Sequence, residues 1–246
     1  VLTAIFLLAA GLVAGVIGTA GGITSLVAYP ALLAVGLQPL AANVTNSVAL
    51  LGSGASSAFR ARADLVGHAT ALHRWLPLTV AVSAVGAGLL LVTPAHLFDR
   101  VVPFLVAAGS VLLLVQPLVE RRRNGKEMSA AAAGASVSGV SLYNGYFGAG
   151  SGVLMIAVLL LNGEPVLHRA NAVKNVLLLA ADIAPAVLFA VSGRVVWSAV
   201  WPLAVGAVIG GFIGPSVARR VPRGPLRIAI ATCGFVLAVS LFVTAS

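Results

Sequence analysis

No Asp, Glu, Lys or Arg occurs between Val1 and Phe59. A membrane-crossing helix takes ~20 apolar residues, so this stretch is long enough to cross more than once, and it lacks the charged face of a soluble helix. Its apolar residues run on without a two-residue alternation, which favours helices over the strands of a transmembrane barrel. The rest of the chain has the same character: 60% of residues are hydrophobic, 9% are charged and the mean hydropathy is +1.08, where soluble domains are about 25% charged. The expected fold class is an all-α polytopic membrane protein, with the lipid bilayer as a partner.

A formal net charge of +9 would point to nucleic acid in a soluble chain. Here the Arg and Lys residues lie mostly in short clusters between apolar segments, where they act as orientation signals, so no nucleic-acid partner is expected. Lys174 stands apart because it lies inside an apolar segment. Cys233 is the sole cysteine, which excludes an intrachain disulfide and a cysteine-based metal cluster. His68, His73, His96 and His168 lie in or beside loops without metal-ligand spacing, and no nucleophile elbow, phosphate loop or zinc pattern is present. No metal, cofactor or enzymatic activity is expected. The first segment has no basic n-region and no small-residue cleavage site, and reads as mature structure rather than a signal peptide.

Gly18-Thr19-Ala20-Gly21-Gly22 interrupts the uncharged run, and Gly148-Ala149-Gly150-Ser151-Gly152 is a second break of the same kind. Glycine is the poorest helix former after proline. Both stretches are therefore expected to be unwound chain between helical pieces that reopen at Ile23 and Val153. Unwound chain inside a bilayer is tolerated only where protein or water covers it, so the two breaks are expected to face each other at a central site. Full spans are expected at about 1–18, 40–59, 73–93, 100–119, 128–147, 167–191, 195–216 and 226–245. Ile23–Gly36 and Val153–Asn162 are apolar but short, ~21 Å and ~15 Å as helices against a ~30 Å hydrocarbon core, and either span or re-enter. Counting them as spans gives ten, and the basic loops at 60–74, 120–127, 168–169 and 219–227 then share one side. The positive-inside rule makes that side cytoplasmic and puts both termini outside.

The two halves resemble each other. Ala42-Asn43-Val44-Thr45-Asn46-Ser47-Val48 aligns with Ala170-Asn171-Ala172-Val173-Lys174-Asn175-Val176, an offset of 128 positions, close to the 130 that separates the glycine breaks. The expected organisation is a first membrane repeat at 1–119, a cytoplasmic linker at 120–127 and a second repeat at 128–246. Five helices per half is an odd number, so the repeats would have inverted topology. That is a recurring plan of secondary transporters, whose site lies at the midplane between broken helices.

The Gly18–Gly22 break followed by Pro30 and Leu32-Leu33, the Ala42-Asn43 helix and the second Gly148–Gly152 copy resemble the TauE/SafE sulfite exporters, also known as sulfite/organosulfonate anion permeases, over nearly the whole chain. The resemblance implies a carrier in the bacterial inner membrane, driven by a proton or ion gradient. Its substrate would be a small anion such as sulfite, an organosulfonate or another organosulfur or carboxylate anion. An uncoupled anion channel and a membrane subunit with no transport role stay open as alternatives, as does a homo-oligomer.

An anion leaving water needs donors, and free backbone N–H groups at a helix start supply them where the dipole is positive. Gly18, Thr19, Gly21 and Gly22 in the first break, and Gly148, Gly150, Ser151 and Gly152 in the second, are the candidates, against a purely packing role. Asn43, Asn46 and Ser47 share one helix face by spacing, as do Asn171, Lys174 and Asn175. Amides can serve an anion through NH₂ and a cation through the carbonyl, or simply hold helices together. Lys174 is the candidate anion contact unless its stem snorkels to the interface. Asp182, ~12 Å further along the same helix and unable to touch it directly, is the candidate for ion coupling, against a structural hydrogen bond near Pro185. Tyr143, Asn144 and Tyr146 are placed to line a vestibule.

Overall fold

A computed structural model describes residues 1–21, 23–65, 67–121, 128–164, 166–218 and 223–245. They form ten α-helices: α1 (Leu2–Gly21), α2 (Thr24–Ala34), α3 (Pro39–Arg60), α4 (Ala69–Val92), α5 (Ala95–Arg121), α6 (Ala130–Tyr146), α7 (Ser151–Leu161), α8 (Leu167–Val191), α9 (Trp197–Ala218) and α10 (Arg223–Ala245), with a 3₁₀ turn at Arg62–Leu65. Starts follow local chemistry. Pro39 opens α3 after an extended Gln38, and the Ser129 hydroxyl caps α6 by accepting the Ala132 N–H at 3.2 Å.

Helices α1, α3, α4, α5, α6, α8, α9 and α10 lie where full spans are expected, and the two short pieces are the eleven-residue α2 and α7. By length and composition, stretches in α4, α5, α8 and α9 are sufficient to cross a membrane; those in α1, α2, α7 and α10 are apolar but shorter. Most of the large apolar side chains that remain exposed, including Ile5, Leu89, Phe104, Val187, Trp201 and Phe242, belong to the long helices, as lipid-facing surfaces require. The chain is a multi-pass helical membrane protein. Helix α5 continues through Glu120 and Arg121, the first two positions of the expected linker, and the rest of it, 122–127, lies outside the described residues.

The glycine breaks differ from expectation. Helix α1 continues through Gly18 to Gly21 instead of unwinding, and Gly22 lies outside the described residues. Close approach explains the glycine at 18: a Cβ there would stand 1.8 Å from the Thr24 hydroxyl, so its missing side chain admits the start of α2. The second break is longer. Phe147 to Gly150 leave the helix, with Gly148 and Gly150 at φ of +79° and +83°, a region that L-residues with side chains avoid. Helix α7 then opens at Ser151 instead of Val153, so Ser151 and Gly152 form its first turn.

Packing is tightest where glycine meets carbonyl. A Cβ on Gly11 would lie 2.1 Å from the Leu203 oxygen and one on Gly15 2.3 Å from that of Ala207. From the other side, a Cβ on Gly206 or Gly210 would lie 2.0 or 2.2 Å from the oxygen of Leu8 or Leu12. Helices α1 and α9 thus touch backbone to backbone through glycines four apart, the small-residue packing of membrane helices. Gly86 against Leu142 and Gly145 against Ser83 do the same for α4 and α6. Around these pairs α3 packs on α8 and α9, α4 on α8, and α5 on α10; α2 bridges α1 and α3, and α7 bridges α6 and α8. Adding five to the helix numbers of the first half, and subtracting five in the second, returns these same pairings.

Two apolar clusters fill the interior. One joins α1, α2, α3, α5, α9 and α10, with Leu90 of α4, Val153 of α7 and Phe189 of α8, around Leu32, Val44, Phe98, Leu113 and Leu203; the other joins α4, α6, α7 and α8 around Trp75, Met155, Ile156 and Leu177. Polar contacts tie the loops at the ends. His68 and Glu164 meet at 2.5 Å, and His168 lies 3.9 Å from Asp64, so the α3–α4 connection sits beside the α7–α8 turn. Elsewhere Arg194, after α8, donates to the Leu91 carbonyl near the end of α4 at 3.2 Å.

Candidate functional site

A cavity of about 90 Å³ lies where α1, α2, α3, α6, α7 and α8 converge. Gly18 of α1 and Thr24 and Ser25 of α2 border it on one side. Asn144, Phe147 and Gly148 at the end of α6, and Ser151 and Gly152 of α7, border it on the other. The two glycine breaks therefore do meet at one space. Helix α3 contributes Asn46, Ser47, Leu50, Ser53, Gly54 and Ser57, a stripe at three- and four-residue spacing. From α8 come Lys174, Asn175, Leu178, Leu179 and Asp182.

Backbone donors at the second break are fewer than a free helix start offers. The Ser151 N–H donates to the Gly148 carbonyl at 3.1 Å, and those of Val153 and Leu154 donate to that of Gly150 at 3.0 and 3.2 Å. The N–H of Gly152 is the first-turn donor with no backbone acceptor among the described residues, and Gly152 borders the cavity.

Lys174 is 3% exposed, and among the described residues it makes no ion pair and no hydrogen bond. Among the described residues Asn175, 6% exposed, has an Nδ2 with no acceptor, and the Oδ1 of the buried Asn46 has no donor. The Asn46 Nδ2 donates to Ser25 at 3.2 Å, which joins α3 to the start of α2. Ser47 borders the cavity with its hydroxyl proton donated to the Asn43 carbonyl at 3.1 Å.

A chain of side-chain hydrogen bonds crosses three helices. Ser151 Oγ donates to Asn144 Oδ1 at 2.6 Å, and Asn144 Nδ2 donates to Asp182 Oδ1 at 2.7 Å. Beside it, Tyr143 donates to the Ala149 carbonyl at 2.6 Å and bends the chain back at the break. Phe147, which borders the cavity, packs edge-on against Tyr29 at 5.3 Å between ring centres and tilted against Phe98 at 6.2 Å, so an aromatic cluster holds it from behind.

Of the residues singled out from the sequence, Gly18, Asn46, Ser47, Gly148, Ser151, Gly152, Lys174, Asn175 and Asp182 border this space. Asn43 and Asn171 do not. Asn43 donates to the Tyr146 carbonyl at 3.0 Å and tethers α3 to the end of α6, and Thr45 accepts the Val196 N–H at 3.0 Å before α9. Gly150 packs against Gly109 of α5 instead. Nothing is described of the Thr19 side chain or the surroundings of Gly21. Thr24, Ser25, Ser53, Ser57 and Phe147 were not foreseen. The serine stripe of α3 was the available signal, since Ser53 and Ser57 follow Asn46 at seven and eleven positions.

A family model described as sulfite exporter TauE/SafE matches residues 4–241. The chain belongs to that family. TauE/SafE relatives span most of its length. A "probable membrane transporter protein" of Haemophilus influenzae is 26% identical over 236 residues, covering 94% of this chain and 91% of that one. The "probable membrane transporter protein YfcA" of Escherichia coli K12 is 27% identical over 82% of this chain and 76% of its own. The Sinorhizobium "probable membrane transporter protein ORF9" is 27% identical over 96% and 91%. No solved structure matches the chain.

Proposed function

We propose that this TauE/SafE member is a secondary transporter that moves a small anion, sulfite or an organosulfur or carboxylate anion, across the bacterial inner membrane. The observation that carries the reading is Lys174: a lysine 3% exposed, bordering a polar cavity, with no acidic partner among the described residues. A buried cation inside a bilayer needs a counter-charge, and an anion in the cavity supplies one. Asn175 Nδ2 and the Gly152 N–H add donors, and the starts of α2 and α7 both border the space, each with the positive end of its dipole. Asp182 on the same cavity is the coupling group.

The recurrence of helix pairings on a shift of five supports two repeats, at 1–119 and 128–246, of inverted topology. The contacts of the 60–68 loop with the 164–168 turn support placing the basic loops together, on the cytoplasmic side with both termini outside. Binding of sulfite, sulfate, thiosulfate, sulfoacetate and small carboxylates to purified protein tests the reading, with Lys174→Ala beside it. At least one anion should bind the native protein, and the substitution should weaken that binding by tenfold or more while the protein still inserts. Undiminished binding by Lys174→Ala would remove the residue from the site.

A further inference from the structure

We infer that Asn144 is the positioning residue that links proton uptake at Asp182 to anion binding at the first turn of α7; the inference rests on the anion-site reading above. The bond directions carry it. An ionised carboxylate only accepts hydrogen bonds, so Asp182 holds the amide of Asn144 with Nδ2 toward α8. Oδ1 then faces α7 and captures the Ser151 proton at 2.6 Å. In this state Ser151 turns lone pairs toward the cavity at the very turn where the Gly152 N–H is available. A hydroxyl set that way repels an anion.

Protonation reverses the chain. A proton from water bonds to Asp182 Oδ1, and the new O–H becomes a donor. The Asn144 amide rotates by half a turn, Oδ1 accepts the Asp182 O–H, and Nδ2 donates to Ser151 Oγ. The Ser151 hydroxyl proton is freed to point into the cavity beside Gly152 and Lys174. No covalent bond breaks; one proton is taken up, and the number of hydrogen bonds within the chain stays at two. The anion then meets one more donor than before, so proton and anion each favour the binding of the other, as linkage requires.

The charged surroundings leave Asp182 as the group that switches. Among the described residues, Lys174 is the other ionisable one bordering the cavity. Helices α6 and α7 contain no Asp, Glu, Lys, Arg or His, and α3 contains only Arg60, at its last position. His73 and Arg74 lie in the first turns of α4, with Arg74 over the Trp75 ring, and Arg62 and Asp64 lie in the 3₁₀ turn beside α8.

Sulfite binding to purified full-length protein, measured from acid to alkaline pH, tests the device. Asp182→Asn presents a permanent NH₂ donor to Asn144 and imitates the protonated state. Its affinity should match that of the native protein at acid pH and exceed it at alkaline pH, by up to about tenfold per pH unit for one linked proton. The titration of sulfite itself is common to both proteins and cancels in their ratio. Ser151→Ala and Asn144→Leu should reduce that ratio to under about twofold, and Asn144→Gln should restore part of it. If Asn144→Leu does not fold, Ser151→Ala with Asp182→Asn still decides. A native-to-Asp182→Asn ratio that is flat with pH, or one that Ser151→Ala leaves intact, overturns this inference alone. Absence of sulfite binding in every variant overturns it together with the sulfite-site reading.

Discussion

At the scale of single residues, the contact between His68 and Glu164 joins two loops that are 96 positions apart. Burial alone would raise the Glu164 carboxyl, but hydrogen bonds from His68 and the Val166 N–H, with the charges of His68 and Arg169, outweigh it and hold the group below its ordinary value of 4.5. A depressed carboxylate stabilises the fold above its unfolded pKa and ceases to do so as pH falls through the folded one. Glu164→Gln should therefore destabilise the protein by about 0.2–1 kcal/mol at neutral pH. The difference in thermal midpoint between the two proteins should shrink as pH falls from the ordinary glutamate value through the lower one of the folded state. A difference that persists undiminished in acid would assign the effect to something other than charge. Lys174, Asn175, Asn46, Ser47 and Asp182 were legible at this scale because polar groups inside apolar runs stand out. The bond from Asn144 to Asp182 was not, since spacing along one helix carries no information about partners 38 positions away on another. Asn43 shows the converse: it shares a face with Asn46 and Ser47 by periodicity, yet it reaches a backbone carbonyl at the end of α6.

At the scale of the element, glycine plays two roles that sequence alone does not separate. Gly148 and Gly150 supply backbone angles, and Gly18 supplies proximity within a continuous helix. Composition identified both places and misjudged the extent of each break, because whether a helix carries on through glycine depends on what packs against it. The α1–α9 seam gives a test. Gly206→Val would set a Cβ 2.0 Å from the Leu8 oxygen, a backbone atom with no freedom to yield. The expected result is a loss of about 1–3 kcal/mol or more, seen as a lower thermal midpoint in detergent. By contrast, Gly88→Ala on α4 meets nothing within 4 Å and should be neutral or slightly stabilising. Equal midpoints for Gly206→Val and the native protein would mean that the two helices do not touch as described.

At the scale of the whole molecule, the closest helix pairs join opposite halves: α1 belongs with α9, and α4 with α6 and α8. The number and order of the helices were readable from turn residues and apolar runs, whereas this interleaving was not, because hydropathy says nothing about which helices are neighbours. Orientation is open to direct measurement. On a Cys233→Ala background, a cysteine at exposed Ala63 should react with an impermeant maleimide only after the membrane is opened, and one at exposed His96 should react in intact cells. The reverse pattern would invert the topology. The glycine seam also has a consequence for the order of synthesis. Gly11 meets Leu203, 192 positions later in the chain, so at ~5–20 residues per second the first helix waits in lipid for roughly 10–40 s before its partner leaves the ribosome. During that interval its glycine face lacks the Leu203 and Ala207 carbonyls that cover it in the folded protein, so the newborn chain exposes a seam that the finished one has closed.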